Sequence, residues 1–235
     1  MSPPLKVAVY LYPKADVLDF SGPIEIYQHH HSSNPKEDIP PPFSVTTFAH
    51  HASITSSSSA LVYTPNATFA SVSAHILDYD ILLLPGAHWD TITELIESAA
   101  GKEVSALIKR FADAKPREET GVRILQSVCT GSVLLAAAGV LAGRTATTHH
   151  LGLDMLKRVA DEAAGGDAHV NVVRKRWVDA GTTEAGVRIV TAGGVSSGID
   201  ATLWIVEQTF GKEAAEFSAE IAEFERRSGA WGGEV

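Results

Sequence analysis

Short apolar runs, rich in β-branched residues, alternate along this chain with longer segments whose apolar positions recur at helical spacing. Continuous apolar runs of this length are typical of strands that are buried on both faces of a sheet. Glycine, proline and serine residues separate the two kinds of segment and mark turns. The pattern predicts strands at residues 7–11, 43–48, 61–63, 81–84, 122–128, 170–173 and 187–191.

The predicted helices take their limits from proline and glycine. Pro23 suits the first turn of a helix, while Gly101 and the pair Gly165-Gly166 are stop signals. On this basis helices are predicted at residues 24–29, 91–100, 104–114, 133–138, 151–164, 198–210 and 213–227. Strands that alternate with helices imply an α/β fold, with a mostly parallel sheet and helices on both faces.

Length and composition favour a single domain. The chain has 235 residues and 45% of them are hydrophobic, which is enough for one sizeable core. We therefore expect one domain over residues 1–235, with a surface insertion at 32–42 and a loose tail from about Gly229. Because the chain has one cysteine, an intramolecular disulfide and a cysteine-rich zinc site are excluded.

The charge of the chain argues against two classes of partner. A formal net charge of -9 repels phosphate backbones and anionic lipids, so neither nucleic acid nor a membrane is an expected partner. The basic run Arg174-Lys175-Arg176 is interpreted as a solvated strand end or loop. No segment approaches the roughly 20 apolar residues of a membrane span, and the N-terminal residues lack a secretory signal. A cytoplasmic protein is the resulting expectation.

The cysteine, Cys129, lies between a predicted strand and a predicted helix with almost no loop. At the carboxyl end of a strand in an α/β sheet, such a turn exposes its side chain, as in the nucleophile elbow of serine enzymes. The N-terminus of the helix would lower the pKa of the thiol and favour the reactive thiolate. The alternative is that Cys129 is a small buried hydrophobic residue, and the spacing alone leaves both interpretations open.

Four stretches of sequence occur together in a characteristic order. They are LDFSGP at residues 18–23, LPG at 84–86, SVCTGS at 127–132 continued by AAGVLAGRTATTH at 137–149, and TAGGVSSGID at 191–200. In this combination the chain resembles the ThiJ/PfpI superfamily over residues 6–210, and most of all its isocyanide (isonitrile) hydratase branch. The resemblance implies a flavodoxin-like three-layer sandwich, a homodimer, a small-molecule substrate, and neither a metal nor an organic cofactor.

The resemblance also implies roles for residues at matching positions. Cys129 matches the nucleophile of the family, and Asp19 matches the acidic residue that approaches it from the loop after the first strand. Thr130 follows the nucleophile, and its backbone N–H would stabilise developing charge. The residues assigned to binding of the substrate or its oxyanion are Gly22, Gly86 and Ala87, the last two on the loop that supplies the opposing N–H.

The chain departs from the family pattern at two of these positions. Many members have glycine where this chain has Ala87, so alanine would be strained if that position needs a positive φ. Protease-like members have histidine where this chain has Thr130, and the missing Cys–His pair disfavours proteolysis. His149 belongs to the hydratase-like pattern, but neither His149 nor His150 is assigned a catalytic role. Without the resemblance, Asp19 is more typical of a helix N-cap before Gly22-Pro23 than of a catalytic acid.

The implied chemistry is the hydration of an isonitrile to an N-formamide. Cys129 would attack the terminal carbon while Asp19, sharing a proton with the thiolate, protonates it. A glyoxalase-like or amidase-like enzyme would use the same pair, and a redox sensor or ligand-binding module would use the same thiol without turnover. Adjacent histidines at residues 29–31, 50–51 and 149–150 point in different directions, so no metal site is expected from them.

Overall fold

A computed structural model of the chain describes residues 3–28 and 41–229. Within them the strands are β1 Leu5–Tyr10, β2 Phe43–Ala49, β3 Ile54–Thr55, β4 Val62–Tyr63, β5 Ala67–Thr68, β6 Ile81–Leu84, β7 Ile124–Ser127, β8 Thr145–Ala146, β9 Asn171–Val172, β10 Trp177–Thr182 and β11 Arg188–Ala192. The helices are α1 Val17–Gln28, α2 Phe69–Ala74, α3 Trp89–Glu97, α4 Ala99–Ala112, α5 Gly131–Ala137, α6 Leu153–Ala164, α7 Ser197–Phe210 and α8 Lys212–Ile221, and a 3-10 turn spans Ile76–Asp78. Three segments discussed above lie outside the described residues: the histidines at 29–31, most of the insertion expected at 32–42, and the tail after Gly229.

Seven of these strands form one sheet in the order β10-β11-β7-β6-β1-β2-β5. Within the sheet every pairing is parallel except that of β10 with β11. The mostly parallel α/β sheet predicted from the sequence is therefore confirmed. Because the strands run in one direction, β1, β6, β7 and β11 end at the same edge, where ligands bind in folds of this type.

Alternate residues of the central strands fill two separate cores. In β1, Ala8 and Tyr10 pack into a core under α2 to α6, while Val7 and Val9 pack into a second core under α1, α7 and α8. All four side chains are buried. The sheet is thus the middle of three layers, and the three-layer sandwich is confirmed. None of the described helices is both long enough and apolar enough to cross a membrane.

Three predicted helix boundaries differ clearly from the structure, and one of them is the end of the last helix, which stops at Ile221 and not at residue 227. Helix α1 begins at Val17, so Pro23 lies in its interior and not in its first turn. The predicted stop at Gly101 is also wrong, because the break falls at Ser98, whose Oγ accepts a hydrogen bond from the Gly101 N–H at 3.0 Å and caps α4. Gly101 is needed for close packing, since a Cβ there would lie 1.8 Å from the Leu95 carbonyl oxygen.

Strand β10 was not predicted. In the basic run just before it, Arg174 and Lys175 are exposed, as expected for a solvated strand end or loop. Arg176 is buried, and its guanidinium pairs with the carboxylate of Asp200 in α7. Trp177, the next residue, pairs with Ala192 at the end of β11. The solvated interpretation is wrong for Arg176, because its partner lies far away along the chain, where the sequence pattern gives no sign of it.

Candidate active site

Cys129 occupies the sharp turn between β7 and α5. Its φ of 55° lies in the left-handed region, which is uncommon for a residue with a side chain. The Cys129 N–H donates to the carbonyl oxygens of Ala192 at 3.1 Å and Gly193 at 2.9 Å, so the end of β11 holds the turn in place. The predicted strand–turn–helix arrangement is therefore present, with the cysteine at its apex.

The thiol lies beneath the surface, contrary to the exposed side chain expected from the sequence. Cys129 is 3% exposed. Burial, followed by the negative charge of Asp19, raises the pKa of the thiol, while the backbone N–H groups of Thr130 and Val195 act to lower it. The expected lowering of the pKa is therefore wrong in direction, because desolvation outweighs the N–H groups around the sulfur.

Asp19 lies in the first turn of α1 and is fully buried. Its Oδ2 accepts a hydrogen bond from the Gly86 N–H at 2.9 Å, so the side chain does not cap its own helix. Its Oδ1 has no hydrogen-bond partner among the described residues. Burial and the charge of Asp16 raise the pKa of Asp19 to about 8, against the opposing effects of the Gly86 N–H and of Cys129. The side chain is therefore an acid that holds its proton at neutral pH.

Asp16, which the sequence analysis did not single out, completes a cluster with the two predicted residues. One oxygen of Asp16, one oxygen of Asp19 and the Sγ of Cys129 lie within 4.8 Å of one another. Burial also raises the pKa of Asp16. These atoms could ligate a metal ion only after losing protons, which the raised pKa of Asp19 and of the thiol opposes. The three-residue spacing between the two aspartates was the available signal for Asp16.

Thr130 fixes the loop that follows β6. Its hydroxyl donates to the Ala87 carbonyl oxygen at 2.6 Å and accepts from the Ala87 N–H at 2.9 Å. Gly86 must lack a side chain, because a Cβ would lie 2.6 Å from both the N and the Oγ1 of Thr130. In this arrangement the N–H groups of Gly86 and Ala87, assigned above to the oxyanion, already have acceptors within the protein.

Ala87 and Gly22 were also assigned to binding of the substrate or its oxyanion, and their positions are explained by local backbone conformation and packing. Ala87 is not among the described residues with positive φ, so the strain considered for it does not arise. Gly22 lies where α1 meets α7, and a Cβ there would be 2.9 Å from Cγ1 of Ile199. Val195, by contrast, has φ of 38°, which is a genuine outlier for a β-branched residue, and its N–H faces the sulfur. Nothing in the sequence pattern indicated that role.

His149 and His150 lie beside this site and line a cavity of about 200 Å³. The two rings are 4.4 Å apart between centroids. His149 packs against the turn after β11 so closely that a Cβ on Gly194 would lie 2.6 Å from its Cδ2. Burial and the neighbouring His150 lower the pKa of His149, so its ring is neutral at neutral pH.

Comparison with known proteins relates the whole fold and the cysteine turn to one family. A family model described as the DJ-1/PfpI family matches residues 5–208. An isonitrile hydratase of Pseudomonas putida is 25% identical over 214 residues, which cover 90% of this chain and 75% of that protein. A deglycase of Thermococcus kodakarensis is 34% identical over 116 residues, covering 49% of this chain and 61% of that one. The crystal structure of a ThiJ/PfpI family protein from Pseudomonas syringae superposes with a TM-score of 0.69 at 22% identity, covering 99% and 80% of the two chains.

Proposed function

Because this chain belongs to the DJ-1/PfpI family, we propose that it is an enzyme that hydrates an isonitrile to the N-formamide. Cys129 is the nucleophile and Asp19 is the acid. The observation that carries the proposal is the buried carboxyl group of Asp19, which has one oxygen within 4.8 Å of Cys129 Sγ and whose Oδ1 has no hydrogen-bond partner among the described residues. The similarity to an isonitrile hydratase supports the choice of substrate class.

The first step joins the sulfur to the terminal carbon of the isonitrile. The thiolate of Cys129 forms the S–C bond, and the carboxyl proton of Asp19 moves to the same carbon, which gives a thioimidate, R–N=CH–S. Two backbone N–H groups, from Thr130 and Val195, stabilise the thiolate before attack. Asp19 is left as a carboxylate.

The second step consumes one water. Water adds its oxygen to the thioimidate carbon and a proton to the nitrogen, which gives R–NH–CH(OH)–S. The carboxylate of Asp19 then takes the hydroxyl proton as the C–S bond breaks, which releases R–NH–CHO and restores both the thiolate and the acid. The sum is one isonitrile plus one water to one formamide, and no electrons are gained or lost.

The pH at which the reaction proceeds depends on the protonation states of Cys129 and Asp19. Burial raises the pKa of both groups, and the negative charge of each disfavours ionisation of the other. The reactive form carries one proton and one negative charge for the pair. The pair loses its first proton at about pH 8, the pKa of Asp19, and the reactive form then arises when the thiol proton moves to the Asp19 carboxylate.

Two alternatives from the sequence are affected by the geometry. A redox-sensing cysteine is accessible and has a lowered pKa, whereas Cys129 is buried with a raised pKa, so sensing is disfavoured. A glyoxalase-like or deglycase-like activity on an α-oxoaldehyde would use the same pair, and the similarity to a deglycase over 49% of the chain makes it the second candidate.

Formamide production from cyclohexyl isocyanide, measured alongside loss of methylglyoxal, tests the proposal directly. We expect formamide from the wild type, no formamide from Cys129→Ala, and a loss of at least a hundredfold in Asp19→Asn. Asp113→Asn, at the exposed end of α4, is the matched control and should behave as wild type. Loss of methylglyoxal without formamide would move the protein to the second candidate. No turnover of either compound by a folded protein would overturn both.

A further inference from the structure

Asp16 is the acidic residue beside the thiol that is open to solvent. One of its carboxylate oxygens lies within 4.8 Å of both an Asp19 oxygen and the Cys129 sulfur. Cys129 is 3% exposed and Asp19 is fully buried, whereas Asp16 is half-buried. Of these three groups, Asp16 is therefore the one that exchanges protons most directly with water outside the protein.

The backbone of the loop between β1 and α1 fixes the position of Asp16. Gly86 binds both aspartates, because its carbonyl oxygen accepts from the Asp16 N–H at 2.9 Å and its N–H donates to Asp19 Oδ2 at 2.9 Å. On the other side of the loop, the Lys14 N–H donates to the Thr55 carbonyl oxygen in β3 at 2.9 Å. The two carboxyl groups are therefore held in position relative to each other by the loop after β6.

Helix capping does not account for the place of this side chain. Asp16 comes just before α1, where aspartate is a common N-cap. The Asp19 N–H, one of the groups that a capping carboxylate can bind, donates instead to the Asp16 backbone carbonyl oxygen at 3.1 Å. The carboxylate lies close to a thiol and to a second carboxyl group, where burial and like charge both cost free energy. A cap requires neither of these costs.

The two aspartates carry different charges at the same pH. Burial raises the pKa of Asp16, while a hydrogen bond with Ser57 and the nearby His149 and His88 act to lower it. The charge of Asp16, together with deeper burial, raises the pKa of Asp19 to about 8. As the pH rises, Asp16 therefore loses its proton first, and it is a base while Asp19 is still an acid. Two neighbouring carboxyl groups whose pKa values differ in this way are suited to opposite roles in proton transfer.

The hydrolysis of the thioimidate contains a proton transfer that Asp19 is poorly placed to perform. Asp19 gives its proton to the carbon in the first step and takes the hydroxyl proton as the C–S bond breaks. The addition of water falls between these events, and it must remove one proton from water and place one on the nitrogen. If Asp19 took the proton of the water, it would be protonated when the C–S bond has to break. A second base beside the sulfur removes this conflict, and Asp16 lies there.

We propose that Asp16 is a third catalytic residue, the base that activates water for attack on the thioimidate at Cys129. This inference rests on the proposed function. As the water oxygen bonds to the thioimidate carbon, the Asp16 carboxylate takes one proton from the water, and the electron pair of the C=N π bond moves to the nitrogen. Asp16 then passes that proton to the nitrogen, which gives R–NH–CH(OH)–S and returns Asp16 to its charged form. One water is consumed, and nothing is oxidised or reduced.

The lifetime of the covalent adduct on Cys129 tests this role separately from the formation of the adduct. The enzyme is mixed with cyclohexyl isocyanide and quenched in acid, and mass spectrometry of the intact protein detects the adduct as the added mass of one isonitrile. We expect the adduct to decay about a hundredfold more slowly in Asp16→Asn than in the wild type, the usual effect of losing a general base. In steady state kcat and KM should fall together, so that kcat/KM above pH 8 changes little. Formation of the adduct at the wild-type rate also shows that the variant is folded.

Two further variants separate the base from the acid and from general effects of charge. Asp19→Asn should form no adduct, and Asp113→Asn, which changes an exposed aspartate, should form and lose it as the wild type does. If the adduct decays at the wild-type rate in Asp16→Asn, the hydratase proposal stands and the inference is overturned. Faster formation with unchanged decay would mean that Asp16 acts through its charge alone, which also overturns it. If the wild type forms neither adduct nor formamide, the hydratase proposal fails and this inference fails with it.

Discussion

Thr130 and Ala87 exchange two hydrogen bonds through a single hydroxyl, which donates to the Ala87 carbonyl at 2.6 Å and accepts from its N–H at 2.9 Å. Both residues are buried. Thr130 therefore supports the loop after β6 as well as contributing its own N–H to the Cys129 sulfur. This loop in turn supplies the Gly86 N–H that donates to Asp19, so one hydroxyl helps to hold Cys129 and Asp19 in position relative to each other.

Thr130→Val should leave the Ala87 N–H and carbonyl oxygen buried without partners. We expect the free energy of unfolding to fall by about 1–3 kcal/mol, the usual cost of unpaired buried polar groups. Urea denaturation measures this change. Thr130→Ser keeps the hydroxyl and is the matched control. If Val and Ser variants are equally stable, the hydroxyl does not hold the loop.

Gly86→Ala should damage both stability and activity. The new Cβ would lie 2.6 Å from Thr130 N and 2.9 Å from Asp19 Oδ2, so the loop must move away from the acid. We expect a loss of about 1–3 kcal/mol in stability, typical of overpacking, together with a large fall in kcat. Gly166→Ala, where nothing lies within 4 Å of the added carbon, should change neither property. Normal kcat in Gly86→Ala would show that the contact of Gly86 with Asp19 is dispensable.

Asp19→Asn should make the protein inactive but more stable in alkaline solution. The pKa of Asp19 rises from an ordinary 3.8 to about 8 on folding, so between these values the folded protein holds a proton that the unfolded chain has released. The free energy of unfolding therefore falls as the pH rises through this interval, by up to about 1.4 kcal/mol for each pH unit. Asparagine has no such proton to lose.

The measurement is the difference in unfolding free energy between Asp19→Asn and the wild type at pH 5 and at pH 8. The variant should gain on the wild type between the two values, by an amount on the order of a few kcal/mol. Asp113→Asn, which changes an exposed aspartate, controls for general effects of charge. A difference that stays constant from pH 5 to pH 8 would mean that Asp19 titrates in its ordinary range.

Asp16→Asn should move the pH dependence of the thiol to lower values. The charge of Asp16 raises the pKa of both Asp19 and Cys129, so removing it lets each group ionise more readily. The rate of alkylation of the chain's one cysteine by iodoacetamide, followed from pH 5 to pH 10, reports this directly. We expect the alkylation profile and the rise of kcat/KM, near pH 8 in the wild type, both to shift downward. A profile that does not move, or moves upward, contradicts the role given to Asp16.

The approach of Asp19 to the thiol was expected from the resemblance to a known family and not from the residues themselves. Periodicity predicted the sheet and the cysteine turn. These features depend on local sequence, because a buried parallel strand and a sharp turn each leave a continuous pattern. The burial of Cys129 could not be predicted in the same way. It depends on α1 and on the turn around Val195, which reach the cysteine from distant parts of the chain.

The cavity lined by His149 and His150 could not be predicted from the sequence for a related reason. Its lining residues come from separate segments, around residue 149, around residue 175 and along the turn at 193–197. Each segment taken alone looks solvated or neutral. They come together only because Arg176 pairs with Asp200 and β10 folds back along β11.

Because β10 runs antiparallel to its neighbour, the residues just before it can be substituted without altering the parallel strands that form the core of the sheet. Because β10 runs antiparallel to β11, the residues that precede it arrive at the edge where the parallel strands end. They therefore line the cavity beside the cysteine turn without belonging to the seven-stranded sheet or to that turn. Insertions, deletions or changes of charge in the segment before β10 can alter the shape and charge of the cavity while Cys129 and Asp19 stay in position. For protein engineering, the few residues before β10 are therefore the natural place to change the cavity.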